Sequence, residues 1–195
     1  MRPVRIRRVF QAALTCACLL AVTSAAAAQQ APDAIGQADA MRMFNTHVER
    51  YVRLRARLEE PLPAFDARRD PWSLMLTRRY LASAIRTARS SAHQGDIFTP
   101  PVAQLLRGLI ADAIYDVDIE GLVDGDLEAD EFVVDLTVNE PIPAWAMDPV
   151  PHALLLRLPS LPAAIEYRIV SGALILWDVH AEIVIDALPD AFLVH

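Results

Sequence analysis

The stretch IEYRIVSGALILWDVHAEIVIDAL, residues 165–188, decides the fold, because pattern, turn chemistry and apolar content agree there on a β-meander. Between Ile175 and Ala187 the odd positions Ile175, Trp177, Val179, Ala181, Ile183 and Ile185 are apolar, while the even ones include Asp178, His180, Glu182 and Asp186. A period of two marks strands with one buried face. Ser171-Gly172 is a two-residue hairpin signal. Asp178-Val179-His180-Ala181 suits a type I turn, with the aspartate first, where its carboxylate accepts backbone N–H groups. Strands are therefore expected near 165–170, 173–178 and 181–187, the last ended by Pro189.

Upstream, the period changes from two to that of a helix. Phe44, His47, Tyr51, Leu54 and Leu58 recur at spacings of three and four, which predicts a first helix over about 38–60 that Pro61 and Pro63 stop. Asp70-Pro71 supplies a cap and a first-turn proline for a second helix to about Ala92, with Leu74, Leu81, Ile85, Ala88 and Ala92 as its buried face. A short link, His93-Gln94-Gly95-Asp96, follows, with Gly95 suited to a left-handed C-terminal cap. Thr99-Pro100-Pro101 then opens a third helix to about Tyr115, with Phe98 placed to staple against Val102 or Ala103. The alternation Phe132, Val134, Leu136, Val138 predicts a further strand. Residues 139–164 are rich in proline and apolar side chains, a pattern that wraps a core and holds at most a short helix near His152–Leu158. The expected architecture is α+β: an N-terminal three-helix half packed on a small antiparallel β-meander of three or four strands.

At the N-terminus, Arg2, Arg5, Arg7 and Arg8 precede an apolar run from Ala12 to Val22 and a small-residue region ending in Ala26-x-Ala28, which is the pattern of a cleaved secretory signal peptide. The expected division is a signal peptide over 1–28, a flexible leader over 29–37 and a single α+β domain over 38–195, with a helical half (38–116) and an acidic β-rich half (117–195). Both cysteines, Cys16 and Cys18, leave with the signal, so the mature domain holds together without disulfides. The formal net charge of −7 includes the four signal arginines, and the remainder carries −11. From Val117 onward only Arg157 and Arg168 face 15 acidic residues, a surface that repels nucleic acid and anionic lipid. A periplasmic or secreted location follows, with an envelope protein or a small ligand as partner and no membrane span once the signal is removed.

Several clusters invite a site. Asp116, Asp118, Glu120 and Asp124, with Gly121, follow the spacing of an EF-hand loop, but Leu127 stands where the bidentate glutamate belongs. Asp178, His180 and Glu182, with Asp186, could converge on a divalent cation if they share a sheet face, although solvated polar residues of a half-buried sheet look the same. His47 lies on the apolar stripe of the first helix, where a buried histidine with one hydrogen-bond partner is commoner than a catalytic base. Arg86 and Arg89 could clamp an anion or pair with carboxylates such as Asp96. With Tyr51, these residues mark an expected binding groove between helices and sheet. The chain has no GxSxG, no phosphate-cradling glycine loop and, after the signal, no Cys–His pair. No catalytic residue is assigned.

Taken together, FNTHVERYVRL (44–54), AIRTAR (84–89), QGDIFTPPV (94–102), LPSLPAAIEYRIV (158–170) and LILWDVHAEIVIDAL (174–188) resemble a group of short exported bacterial proteins of unknown function. The C-terminal hairpin is also similar to one in small periplasmic proteins, including some linked to nickel and cobalt homeostasis. The histidine-rich, basic surroundings common in those proteins are missing here. The functional expectation is a non-catalytic binding or interaction module of the cell envelope, with a divalent-cation-binding protein and a hydrolase with a hidden carboxylate or histidine site as alternatives. No resident cofactor is expected unless the cation alternative holds.

Overall fold

The computed structural model describes residues 14–65, 70–116 and 136–192, with side chains from Gly36 onward. The chain divides into two compact units, Met1–Asp39 and Ala40–His195. The first unit is helical over its described part, so helix continues through residues 29–37, where the sequence pattern marks a leader. No helix among the described residues is long and apolar enough to cross a membrane.

The elements in order are α1 (Leu14–Glu59), α2 (Pro71–Ala88), α3 (Pro100–Asp116), a 3-10 turn (Ala144–Ala146), β1 (Asp148–Pro149), α4 (His152–Leu155), β2 (Ile165–Val170), β3 (Ala173–Asp178) and β4 (Ile183–Leu188). This is an α+β fold whose helical half precedes a four-stranded antiparallel sheet of order β1-β2-β3-β4. The two-residue hairpin between β2 and β3 has φ values of 46° at Ser171 and 77° at Gly172. Positive φ at both central residues is what a twisted two-residue hairpin requires. The expected strand over 132–138 lies mostly outside the described residues, and its tail at Leu136–Val138 is loop and turn.

Asp70 opens α2 as foreseen, accepting the Ser73 N–H at 2.9 Å. Hydrogen bonding from Ser73, its side chain first and this N–H second, holds the Asp70 carboxyl below the ordinary aspartate range. The helix nevertheless ends at Ala88 rather than near Ala92, and Ala88 is exposed. The cause is a reciprocal pair: Asn139 Nδ2 donates to the Arg89 carbonyl at 3.0 Å, while Arg89 Nη1 donates to Asn139 Oδ1 at 2.8 Å. A side-chain amide thus satisfies a terminal carbonyl, and the chain turns away. Gly95 is left-handed, at φ 89°, but sits inside the longer link rather than at the cap.

Two apolar clusters cover the sheet, one on each face. Ile165, Tyr167, Leu174, Leu176, Ile183 and Ile185 join Phe44, Val48, Leu81, Ile85, Val102 and Leu106 of the helices. Val170, Ile175, Trp177, Val184 and Ala187 join Ile142 on the other side, with Leu136, Ala146 and Met147 packed against them. Every residue of β3 and β4 is buried. The expectation of one solvent-facing side is therefore corrected: the proline-rich segment covers the second face, and Asp178 and Asp186 are fully buried.

Asp186 reaches the helical side through a bulge. Leu176 lies opposite Asp186 and Trp177 opposite Val184, so Ile185 is an extra residue and the alternation of β4 changes phase there. Asp186 then accepts four backbone N–H groups, from Gly95 (2.8 Å), Ile97 (2.7 Å), Phe98 (2.8 Å) and Ala187 (2.8 Å). Burial raises its carboxyl above the ordinary range, and these four bonds oppose the rise by favouring the ionised form. Replacing Asp186 with Ala orphans these donors and is expected to cost about 3 kcal/mol or more, while Asp186→Asn keeps one acceptor oxygen and costs less. Urea unfolding midpoints of the two variants check this order; equal midpoints would show that the carboxylate does not hold the link.

Candidate functional site

Helix α1 and the end of β3 meet at Asp178. The buried stripe of α1 runs Ala40, Phe44, Val48, Tyr51, Arg55, not along the predicted His47 and Leu54. Tyr51 Oη donates to Asp178 Oδ2 at 2.7 Å and Arg55 Nε to the same oxygen at 2.9 Å. The other oxygen accepts the N–H of His180 (3.0 Å) and of Ala181 (2.8 Å), the turn chemistry expected of an aspartate leading this loop. Arg55 is 5 % exposed and Asp178 0 %, so the pair is desolvated and depends on these added hydrogen bonds. Burial and the Asp178 anion raise the Tyr51 phenol well above its ordinary range, so it stays protonated and donates.

The outer rim of this cluster is partly open. Arg55 Nη1 binds Glu59 Oε2, and Arg55 Nη2 lies 2.7 Å from His180 Nδ1. A guanidinium only donates, so Nδ1 offers its lone pair and the imidazole proton resides on Nε2. Glu59 Oε1 is 3.2 Å from the same Nδ1, and Phe65 stacks on the ring with centroids 4.2 Å apart. A carboxylate that receives an imidazole N–H would prepare a histidine for proton abstraction. Arg55 instead directs the proton to the outer nitrogen, which makes His180 a hydrogen-bond donor at the surface.

Arg89 is held in the core edge, its guanidinium 5.1 Å from the centroid of the Tyr51 ring and its Nη2 donating to the Ile185 carbonyl at 3.0 Å. That carbonyl belongs to the bulge residue. Burial lowers the Arg89 pKa, countered by Tyr51, Asp186 and Asp96. Of the residues singled out in the sequence, Tyr51 and Arg89 are thus joined to each other and to the sheet. His47 is half-buried on α1 with its Nδ1 lacking a partner, and Arg86 stands apart on α2. Asp118, Glu120 and Asp124 lie outside the described residues, and the side chain of Asp116, which ends α3, does as well. Asp178, His180 and Glu182 do not converge: Asp178 is filled by four donors, and Glu182, at φ 55°, turns to pair with Arg78. Among the described residues no three His, Cys, Asp or Glu side chains gather where they could hold a metal ion.

A second feature is an open groove of about 710 Å³ between α2 and the start of β4. Leu74, Met75, Ala82, Pro141 and Ile183 supply apolar surface, and Arg78, Arg79, Arg86 and Glu182 the charge. Arg86 Nε pairs with Glu140 at 3.0 Å, and Arg78 pairs with Glu182, all four side chains being well exposed. Of these three arginines, only Arg86 is among the residues singled out in the sequence. For Arg79 the signal is the spacing Met75, Arg79, Ala82, Arg86, one stripe of a helix whose other side, Thr77, Leu81 and Ile85, is core.

Arg55→Ala strands a buried carboxylate and is expected to destabilise the protein by about 3–5 kcal/mol, whereas Tyr51→Phe removes one hydrogen bond to a charged group, worth about 1.5–3 kcal/mol. Thermal unfolding of both variants checks the order. The ¹⁵N shifts of neutral His180 should report a proton on Nε2, and a proton on Nδ1 would instead make Glu59 its partner. Comparison of the chain with family models, curated proteins and solved structures gives no match.

Proposed function

We propose that this chain is an exported periplasmic protein, a non-catalytic binding module of the cell envelope, whose binding surface is the groove between α2 and β4. The observation that carries this reading is the groove's lining. Three guanidinium groups stand over an apolar floor, with Glu182 in the lining and Glu140 paired to Arg86, on a chain whose formal net charge is −7. A concave surface with apolar lining and a few polar groups is the usual form of a ligand site. Here its charge is opposite to that of the rest of the chain.

The buried polar clusters support the same reading from the other side. Asp178, Arg55, Tyr51, Asp186, Arg89 and Asn139 are all bonded to one another or to backbone, and so they hold the helices on the sheet. The groove wall is built on that frame: α2 is fixed at its end by Asn139, and Pro141 follows two residues later. Sites carried on fixed elements keep their geometry. The N-terminal basic, apolar and small-residue succession supplies the export signal.

Two measurements test this reading. Protein recovered from the periplasm should begin near Gln29; a chain that keeps its N-terminus in the cytosol would overturn export. A photo-crosslinking residue at Met75 in the groove, introduced into cells making the full chain, should give adducts that the same residue at the exposed Gln104 of α3 does not. Equal adduct yields at the two positions would remove the groove as the binding surface.

A further inference from the structure

The groove also carries information about what it holds. Arg78 and Arg86 are each met by a carboxylate from the sheet side, Glu182 and Glu140. Arg86 is engaged through two nitrogens, Nε to Oε1 at 3.0 Å and Nη2 to Oε2 at 3.2 Å, the forked geometry that suits a carboxylate. Both pairs are exposed, with the four side chains between 39 % and 49 % accessible. Exposed pairs of this kind are weak and readily exchanged for another carboxylate. The protein thus shows, with its own side chains, the chemistry its arginines accept. Arg79 is exposed in the same groove and has no carboxylate partner among the described residues.

Spacing narrows the ligand. Arg79 and Arg86 are seven residues apart on one stripe of α2, which places their backbone positions about 10.5 Å apart along the helix axis. In an extended polyproline II chain three residues complete one turn and cover about 9.3 Å, so the side chains of residues i and i+3 point the same way. Carboxylates three residues apart on such a peptide therefore match the rise between Arg79 and Arg86 along the helix. The apolar floor of Leu74, Met75, Ala82, Pro141 and Ile183 suits the aliphatic side chains between and beside them. A single phosphate leaves that apolar floor in water.

Resting on the binding reading above, we propose that the α2–β4 groove takes an extended acidic peptide segment, with two carboxylates about three residues apart seated on Arg79 and Arg86 and aliphatic side chains on the floor. Recognition is charge-assisted and direct, and needs no metal or cofactor. Glu140 gives up Arg86 as the peptide arrives.

The test uses the full-length mature protein and a fluorescein-labelled synthetic peptide, extended in design, carrying two glutamates three residues apart among leucine and alanine. A matching peptide with glutamines, one with adjacent glutamates, and inorganic phosphate serve as comparison probes. The expected result is saturable binding of the first peptide, roughly tenfold or greater loss with the glutamine version, and a similar loss in Arg79→Glu and Arg86→Glu. Thermal midpoints show that those variants remain folded, as both side chains are exposed. Weakening by added salt accompanies the binding. Equal affinity for the glutamine peptide, or unchanged affinity in folded Arg79→Glu, would overturn the proposal. Displacement of the peptide by an equal concentration of phosphate would overturn it in favour of a small anion, and equal binding of the adjacent-glutamate peptide would overturn the spacing. If adducts form at Met75 while no acidic peptide binds, the groove remains a binding surface and only the ligand class falls.

Discussion

The structure depends on two carboxylates placed where water does not reach. Asp178 at the end of β3 and Asp186 within β4 both lie on the helix-facing side of the sheet, and each accepts hydrogen bonds from a different part of the helical half. Asp178 fixes α1 through Tyr51 and Arg55; Asp186 fixes the link between α2 and α3 through three backbone N–H groups. Apolar burial is non-directional and drives the halves together without setting their register. A buried anion is costly unless its donors arrive in the right geometry, so these two groups select one arrangement among the many compact ones.

Between the two carboxylates, the bulge at Ile185 serves both. By adding one residue to β4 it turns Asp186 to the helical side, and it leaves the Ile185 carbonyl to receive Arg89. Arg89 in turn lies against the Tyr51 ring, whose hydroxyl binds Asp178. The two polar centres are therefore one connected path from the α2–α3 link to α1. Asn139 joins that path to the proline-rich segment, through its amide on Arg89 and its own N–H on the Val184 carbonyl at 2.7 Å.

This division of labour bears on function. Tyr51, Arg89, Asp178 and Asp186, which look chemical in the sequence, are used to assemble the domain and are engaged in hydrogen bonds. The groups left for solvent are simpler ones, arginines on the outer stripe of α2 with exposed glutamates opposite. On the binding reading proposed above, these exposed groups are the ones that meet a ligand.

The α+β architecture, the three C-terminal strands, the Ser171-Gly172 hairpin, the Asp178 turn and the helix starts at Asp70 and Thr99 were determined by sequence alone, because period and turn chemistry are local properties. Burial of Asp178 and Asp186 was decided only by the tertiary structure. A period-two pattern distinguishes the two faces of a strand but not whether a second layer covers the polar one, and a bulge resets the phase without leaving a mark in composition. The shift of the α1 stripe from Leu54 to Arg55 has the same origin: a guanidinium belongs in a core only when a carboxylate over a hundred residues away is already there to meet it.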